Sequence, residues 1–329
     1  MRTLNAITAA DDLLEFLGTH PGERSRIHSV YPHALNLLVG ESTLITITNR
    51  ADLTPMGLEL SPSESFAGLA RAGEEIMLGT ESLRSVNAAF EVNLEGASVW
   101  QSNLRADHPP RPIEEIASLR RRLAGWLASQ PATGLMPLLP RLAKLPPRIG
   151  QASGNIYSRY IAEDLAAFTG AINASDWEHA QTLADRLVGF GMGSTPSCDD
   201  FLAAYLLVLK AAEMLHPGRF GWVSAFNRAI ARKAENRSTL LSANMLRHAS
   251  AGKTGRSHQR LLRTCLLNVE DDLADAASQV FGHGASSGGD FLLGLLCAME
   301  WYQNAISEIS KKGENAWVAL QRPQPAPGI

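Results

Sequence analysis

Two stretches of this chain hold the residue types from which a ligand site can be built. The first is Phe190-Gly191-Met192-Gly193-Ser194-Thr195-Pro196-Ser197-Cys198-Asp199-Asp200-Phe201-Leu202, and the second is Phe281-Gly282-His283-Gly284-Ala285-Ser286-Ser287-Gly288-Gly289-Asp290-Phe291-Leu292. With Pro196 skipped, Phe, Gly-x-Gly, Ser/Thr, Ser, Asp and Phe-Leu recur in order. Glycines let backbone N–H groups approach a ligand closely. A helix start offers unpaired N–H donors and the positive end of the macrodipole. Phosphate, carboxylate and carbamoyl phosphate suit such a place. Gly191, Gly193, Ser194, Thr195, Ser197, His283, Ser286 and Ser287 are the expected ligand-binding residues, and Asp199, Asp200 and Asp290 the expected catalytic acids, orienting substrate or a metal.

Two other readings stand beside this one. Ser197 to Asp200 and Ser287 to Asp290 have capping-box spacing, in which Ser caps the helix and the acid caps back. Capping explains Ser and Asp but not the upstream Gly-x-Gly or the extra Asp199. In the third reading Asp199, Asp200, Asp290 and His283 converge on Mg2+ or Mn2+, cations that favour carboxylate and water ligands.

Further candidates are weaker. Gly252-Lys253-Thr254 looks like the end of a phosphate-binding P-loop, but Arg247 stands where the first glycine is needed and a helix is predicted just before it. Thr239, Ser242, Arg247 and His248 can line a pocket, with Arg247 counted among the ligand-binding residues; a capped amphipathic helix explains the same segment. Asn36 lies in an apolar stretch and reads best as a turn or strand-end residue. Cys198 sits near a helix start, where a thiol can become reactive, but no base is identifiable beside it. There is no His-Glu-x-x-His and no complete dinucleotide-binding fingerprint.

The elements that position these residues fall into two classes, an α+β arrangement with a strand-rich N-terminal part and a mostly helical C-terminal part. In residues 1–107, Arg26–Leu38, Thr43–Thr48, Glu75–Leu78 and Ala89–Trp100 suggest short strands, with turns at Gly40-Glu41-Ser42 and Glu95-Gly96. A small antiparallel sheet or barrel follows, led by a short helix over Ala9–Leu17. His108-Pro109-Pro110-Arg111-Pro112 breaks the chain. Residues 108–157 form a proline-rich connector with one helix, Ile113–Ser129, and a long loop from Pro131 to Pro147. Residues 158–321 read as helices over Ser158–Thr169, Trp177–Val188, Asp200–Leu215, Trp222–Lys233, Thr239–Ala249, Ser257–Leu267, Glu270–Phe281 and Asp290–Ile309. The helices headed by Asp200 and Asp290 are apolar on nearly every side, which predicts central positions. The three prolines of 322–329 predict a frayed tail.

Composition narrows the class. The chain has 329 residues, 45% apolar and 19% charged, with 30 basic and 33 acidic residues for a net charge of −3. That is a folded protein with room for one large or two medium domains. No long basic run points to nucleic acid; Arg120-Arg121-Arg122 reads as a solvated helix face. No apolar run reaches the ~18–20 residues needed to span a bilayer, and Asp11, Asp12 and Glu15 argue against a signal peptide over Met1–Leu17. Cys198, Cys265 and Cys297 are odd in number and form no CxxC pair, so a reduced, cytoplasmic protein is expected.

The first turn resembles a family signature. Gly189 to Leu202 is similar to the Gly-rich, Leu-Thr-Pro-Ser-Gly-Asp-Asp-Phe-Leu motif of the AllH-like family. Ser238–Ser242, Arg247-His248-Ala249 and the second turn ending Gly288-Gly289-Asp290 follow in the family's order, and the resemblance runs from about Arg26 to Tyr302. It implies a subunit of oxamate carbamoyltransferase, an enzyme of anaerobic purine (allantoin) degradation working beside subunits that resemble acyl-CoA synthetases. The implied reaction is phosphorolysis of oxalurate to oxamate and carbamoyl phosphate, whose anionic reactants suit the two turns. The alternative is a non-catalytic partner subunit that binds a small ligand and stabilises or regulates a synthetase-like enzyme. Ser194 replaces the family's usual Leu and Cys198 its usual Gly; a side chain at Cys198 is expected to narrow the pocket or change its ligand.

Overall fold

A computed structural model describes residues 1–62, 66, 68–144 and 154–320, the side chains of 310–320 excepted. Its first element overturns an expectation. Leu4 and Ala6 alternate with exposed Thr3, Asn5 and Ile7, and Arg2–Ala10 is a strand, β1. Helix α1 begins only at Asp11 and ends at Thr19. Ala9, expected at the head of a helix, lies in the strand because β1 has partners on both sides.

The apolar run Arg26–Leu38 is two strands, β2 (Arg24–Val30) and β3 (Ala34–Val39), folded back on each other. After the turn at 40–42 come β4 (Thr43–Thr48), β5 (Gly57–Leu60), β6 (Glu75–Leu78), β7 (Ser82–Ser85), β8 (Phe90–Asn93) and β9 (Ser98–Trp100). The order is β5-β4-β3-β2-β6-β7-β8-β1, and β1 also pairs with β5, so eight strands close into a barrel. Closure removes the exposed edges that an open sheet would present. β1 pairs in parallel with β8 through Arg2–Asn5 and then with β9 through Thr8–Ala10, and β4–β5 is parallel too. The sheet is therefore mixed rather than antiparallel. Leu4, Ile27, Leu37, Ile45, Leu58, Ile76 and Val92 fill its interior. Asn36 is inside β3 rather than at a turn or strand end, its amide bridging Ser29 and Thr46 across neighbouring strands.

The rest is helical: α2 (Ile113–Ala128), α3 (Leu139–Leu142), α4 (Ile156–Asn173), α5 (Trp177–Leu187), α6 (Ser197–Leu215), α7 (Val223–Arg237), α8 (Leu240–Ser250), α9 (Arg256–Leu266), α10 (Leu273–Phe281) and α11 (Ser287–Leu320). The expected loop after Pro131 instead drives Leu135, Met136 and Leu139 into the helical core through a 3-10 turn and α3. The end of that loop, at Pro147, and the tail 322–329 lie outside the described residues. Among the described residues no helix is long and apolar enough to cross a membrane.

α6 and α11 are the centre, as their all-round apolar sequences require. They run parallel: Thr195 meets Ser287 at their starts, and further along His216 meets Tyr302. Gly294 makes the contact possible, because a Cβ there would lie 2.3 Å from the Phe201 carbonyl oxygen. The barrel docks on this helical body through polar bonds. Asn244 of α8 accepts from the Leu44 amide at 3.3 Å and donates to the Ser42 carbonyl at 2.8 Å. Arg256 pairs with Glu59 at 3.0 Å, and Lys253 with Asp12 at 2.5 Å.

Candidate functional site

The first turn is held by backbone geometry before any side chain acts. Gly191 has φ +129°, and a Cβ would lie 2.3 Å from the Ser197 nitrogen, so only glycine fits. Its glycine serves the turn's own packing. Pro196 then precedes α6 and cannot donate, and no side chain caps that helix end. The capping box expected between Ser197 and Asp200 is absent: Ser197 is already the first helical residue, one position too late to cap.

The two turns come together. Thr195 Oγ1 and Ser287 Oγ are 2.8 Å apart, and the contacts of the two matched acids are exchanged between the turns. Asp200 has near it the hydroxyls of Thr195 from its own turn and Ser287 from the other. Asp290 has Ser286 from its own turn and Ser197 from the other.

The three acids differ in what they do. Asp199 is fully buried and accepts from the Gly189 amide at 2.8 Å, from Ser242 Oγ at 2.6 Å and from the Ser238 hydroxyl. Its oxygens are used up in tying the first turn to the start of α8. Asp290 accepts from the Leu135 amide at 2.6 Å. Burial lifts its pKa to about 6, against the pull of Leu135, Ser197 and Ser286. Asp200 is 4% exposed, and its Oδ2 has no hydrogen-bond partner in the protein. Burial, then the charge of Asp290, holds its carboxyl well above the usual range, against the pull of the Ser287 and Thr195 hydroxyls.

Asp200 lines a cleft of about 360 Å³ between the two halves of the molecule. The helical wall is Ser194, Thr195, Asp200, Ser287, Gly284 and Phe291; the barrel wall is Leu44, Thr46 and the Leu53–Met56 loop. His248, Lys253, His258 and His283 complete it. Mostly apolar walls with a few convergent polar groups are the usual make-up of a small-molecule site.

Facing Asp200's wall is an acid–imidazole pair. His283 Nε2 lies 2.8 Å from Asp52 Oδ2, and the Ser257 amide donates to Asp52 Oδ1 at 3.0 Å. Burial raises the Asp52 pKa, but the hydrogen bond and charge of His283, with His258 and the Ser257 amide, bring it down to about 2. His258 packs on Phe291 and His283, and burial followed by the charge of His283 pushes it down to about 3. Burial, Arg247 and Lys253 bring His248 to about 4. Both of these imidazoles are neutral near pH 7.

Six of the residues expected from sequence therefore line the cleft: Ser194, Thr195, Asp200, His248, His283 and Ser287. Gly191, Gly193, Ser197, Ser286, Asp199 and Asp290 do not line it. Arg247 is turned away, donating to Asn244 Oδ1 at 2.5 Å beside the barrel. Among the described residues no three His, Cys, Asp or Glu side chains converge as metal ligands. The expected Mg2+ or Mn2+ set fails because Asp199 is saturated by donors and His283 is committed to Asp52. Cys198 is fully buried, does not line the cleft, and so does not narrow it. Burial and the charges of Asp199, Asp290, Asp164 and Asp200 raise its thiol pKa well above normal, which makes it a poor nucleophile. Gly284-Ala285-Ser286-Ser287-Gly288 spells Gly-x-Ser-x-Gly, but it joins two helices and not a strand to a helix, so it builds no nucleophile elbow.

Asp52, Ser257 and His258 were not legible as site residues. Nothing in the loop after β4 marks Asp52, whose role depends on a histidine more than two hundred residues away. Thr239 does cap α8, accepting from Ser242 at 3.1 Å, so the capped-helix reading holds there.

Comparison with known proteins adds the family. The family model described as oxamate carbamoyltransferase subunit AllH matches residues 187–299, which include both turns and most of the cleft. The model of the AllH family N-terminal domain matches residues 5–99, the barrel. No solved structure matches the chain significantly. With both models matched in order and together spanning most of the chain, this protein belongs to the AllH family and is related to the oxamate carbamoyltransferase subunit of that name.

Proposed function

We propose that the cleft binds a small anionic metabolite of carbamoyl transfer, such as oxalurate, oxamate, carbamoyl phosphate or phosphate. In this reading the chain is a subunit of an enzyme related to oxamate carbamoyltransferase, acting in the cytoplasm in purine (allantoin) catabolism beside synthetase-like partner subunits. The observation that carries it is the cleft at the junction of the two turns, lined by Asp200, Thr195 and Ser287, with one Asp200 oxygen left without a partner, which helix capping does not explain.

The surrounding electrostatics support an anion. The positive ends of two parallel helices, α6 and α11, open on the same cleft. Lys253 also lines it, with its charge shared with Asp12. Ser194, Thr195 and Ser287 supply hydroxyl donors, and His283, oriented by Asp52, is the group placed to give or take a proton.

The first test is thermal unfolding against phosphate, carbamoyl phosphate, oxamate and oxalurate. A ligand that binds only the folded state raises the melting temperature by mass action. The reading expects a rise with at least one of these anions, weakened in Ser287→Ala and in Lys253→Ala. No rise with any of them, in a protein that melts cooperatively, would refute it. Turnover by the isolated chain would then separate an enzyme from a non-catalytic binding subunit.

A further inference from the structure

We infer that the anion bound in the cleft carries a hydrocarbon arm of several carbons, and that the arm lies between α6 and α8 against the barrel. This rests on the cleft being the binding site of the preceding reading. It adds a requirement for an apolar body, which oxamate, oxalurate, carbamoyl phosphate and phosphate all lack.

Two helices set the length of the cleft. α6 and α8 run side by side in the same direction. Near their starts Asp199 accepts from Ser242 at 2.6 Å, and further along a Cβ on Gly252 would lie 2.9 Å from Lys210 Cγ. Asp200, Ala203 and Leu207 line the cleft from α6, at steps of three and four residues, and Leu241, Met245 and Ala249 line it from α8. From Asp200 to Leu207 is about 10 Å along the helix axis. Opposite stands the barrel, whose Leu44 amide donates to Asn244 of α8, and Leu44 and Met56 line that wall.

The groups that suit an anion gather at one end. Thr195 and Ser287 meet there at the starts of α6 and α11, Asp200 stands in the first turn of α6, and His283 pairs with Asp52. Beyond Ala203 the helical walls turn apolar. Two polar side chains along that stretch are engaged within the protein: Asn244 bonds to Leu44, Ser42 and Leu240, and Thr46 bonds to Asn36. His248 and Lys253 also line the cleft, but the Lys253 ammonium donates to Asp12. A second charge on the ligand gains little there.

Size points the same way. A cleft of about 360 Å³ is in the range of sites that enclose ligands much larger than oxamate. A small, wholly polar anion at the helix starts leaves the Leu207, Leu241 and Met245 surfaces facing water. A hydrocarbon arm covers them, and removing apolar area from water is the main favourable contribution in such a place.

The deciding measurement is titration calorimetry of the full chain with straight-chain carboxylates from acetate to hexanoate, with oxamate and phosphate beside them. Affinity is expected to rise roughly three- to fourfold with each added methylene. Met245→Trp puts an indole where the arm lies, and Leu241→Asn makes its bed polar; each is expected to flatten that rise. Leu241 is only partly buried, so Leu241→Asn keeps the comparison open if Met245→Trp fails to fold. Equal affinity along the series, or binding of oxamate or phosphate but of none of the longer acids, would overturn the arm while leaving the anion site standing. A rise undiminished in both variants would overturn the arm's placement and with it the inference. Binding of none of these compounds would overturn both readings.

Discussion

In the first turn of α11, Asp290 accepts one hydrogen bond from the Leu135 amide, while its Oδ2, like that of Asp200, has no partner in the protein. In the turn before α6, the matched aspartate has the same hydroxyl neighbours and no such backbone, and a cleft lies in its place. The difference teaches that identical local sequence does not set an acid's role. The element packed opposite does. A connector folded into the helical core makes Asp290 part of the scaffold, whereas a barrel loop standing off from the helices leaves Asp200 available to a ligand.

The comparison breaks outright if the two turns are pushed apart. Gly294→Leu places side-chain atoms into the Phe201 backbone and is expected to cost roughly 3 kcal/mol or more of stability, read as a lower urea midpoint. Asp290→Leu leaves the Leu135 amide buried and unpaired, for a loss of about 1–3 kcal/mol. Asp200→Leu removes a buried carboxyl that no backbone N–H of the protein depends on and is expected to leave stability unchanged or raise it while weakening ligand binding. Equal losses from these two substitutions would contradict the division of roles.

Acidity sharpens the contrast further. Asp290 has a folded pKa of about 6 against an ordinary 3.8, so its ionisation opposes folding. Its stabilising contribution is full below about pH 4 and is lost as pH rises through about 6, on the order of 3 kcal/mol before relaxation. Asp52 runs the other way, with stability present above about pH 4 and lost as pH falls towards about 2. Melting temperatures of Asp290→Asn are expected to be flatter between pH 4 and 6 than those of the parent protein. The smallest effect is at Asp52 itself. Because Asp52 and His283 are each about one-third exposed (31% by side chain), Asp52→Ala is expected to cost only about 1 kcal/mol. It should weaken ligand binding several-fold by releasing the imidazole.

Much of this was readable in advance, and the limits have physical causes. β4 and β6 appear in the sequence because each is a short apolar run bounded by turn residues. α6 and α11 appear because their faces are apolar all round. β1 was missed because small alanines and threonines carry a weak pattern, and its stability comes from partners far along the chain. Among the site residues, Asp200, Thr195 and Ser287 were marked by local spacing. The burial of Asp199 and the pairing of Asp52 with His283 were not, because long-range packing decides them.

The closure of the barrel by its first strand also governs how it can assemble. β1 precedes the other strands of the barrel in the chain, yet its partners lie at 58–60, 90–93 and 98–100. Those contacts span much of the N-terminal part, and closing such long loops is entropically slow. Until about residue 100 has emerged, β1 has unpaired edges and must wait beside incomplete neighbours. Folding of the barrel is thus expected to be late and cooperative, completed by a final strand pairing rather than built up hairpin by hairpin. The barrel loop that walls the cleft is expected to take its place only after that step, so the cleft is among the last features of the molecule to form.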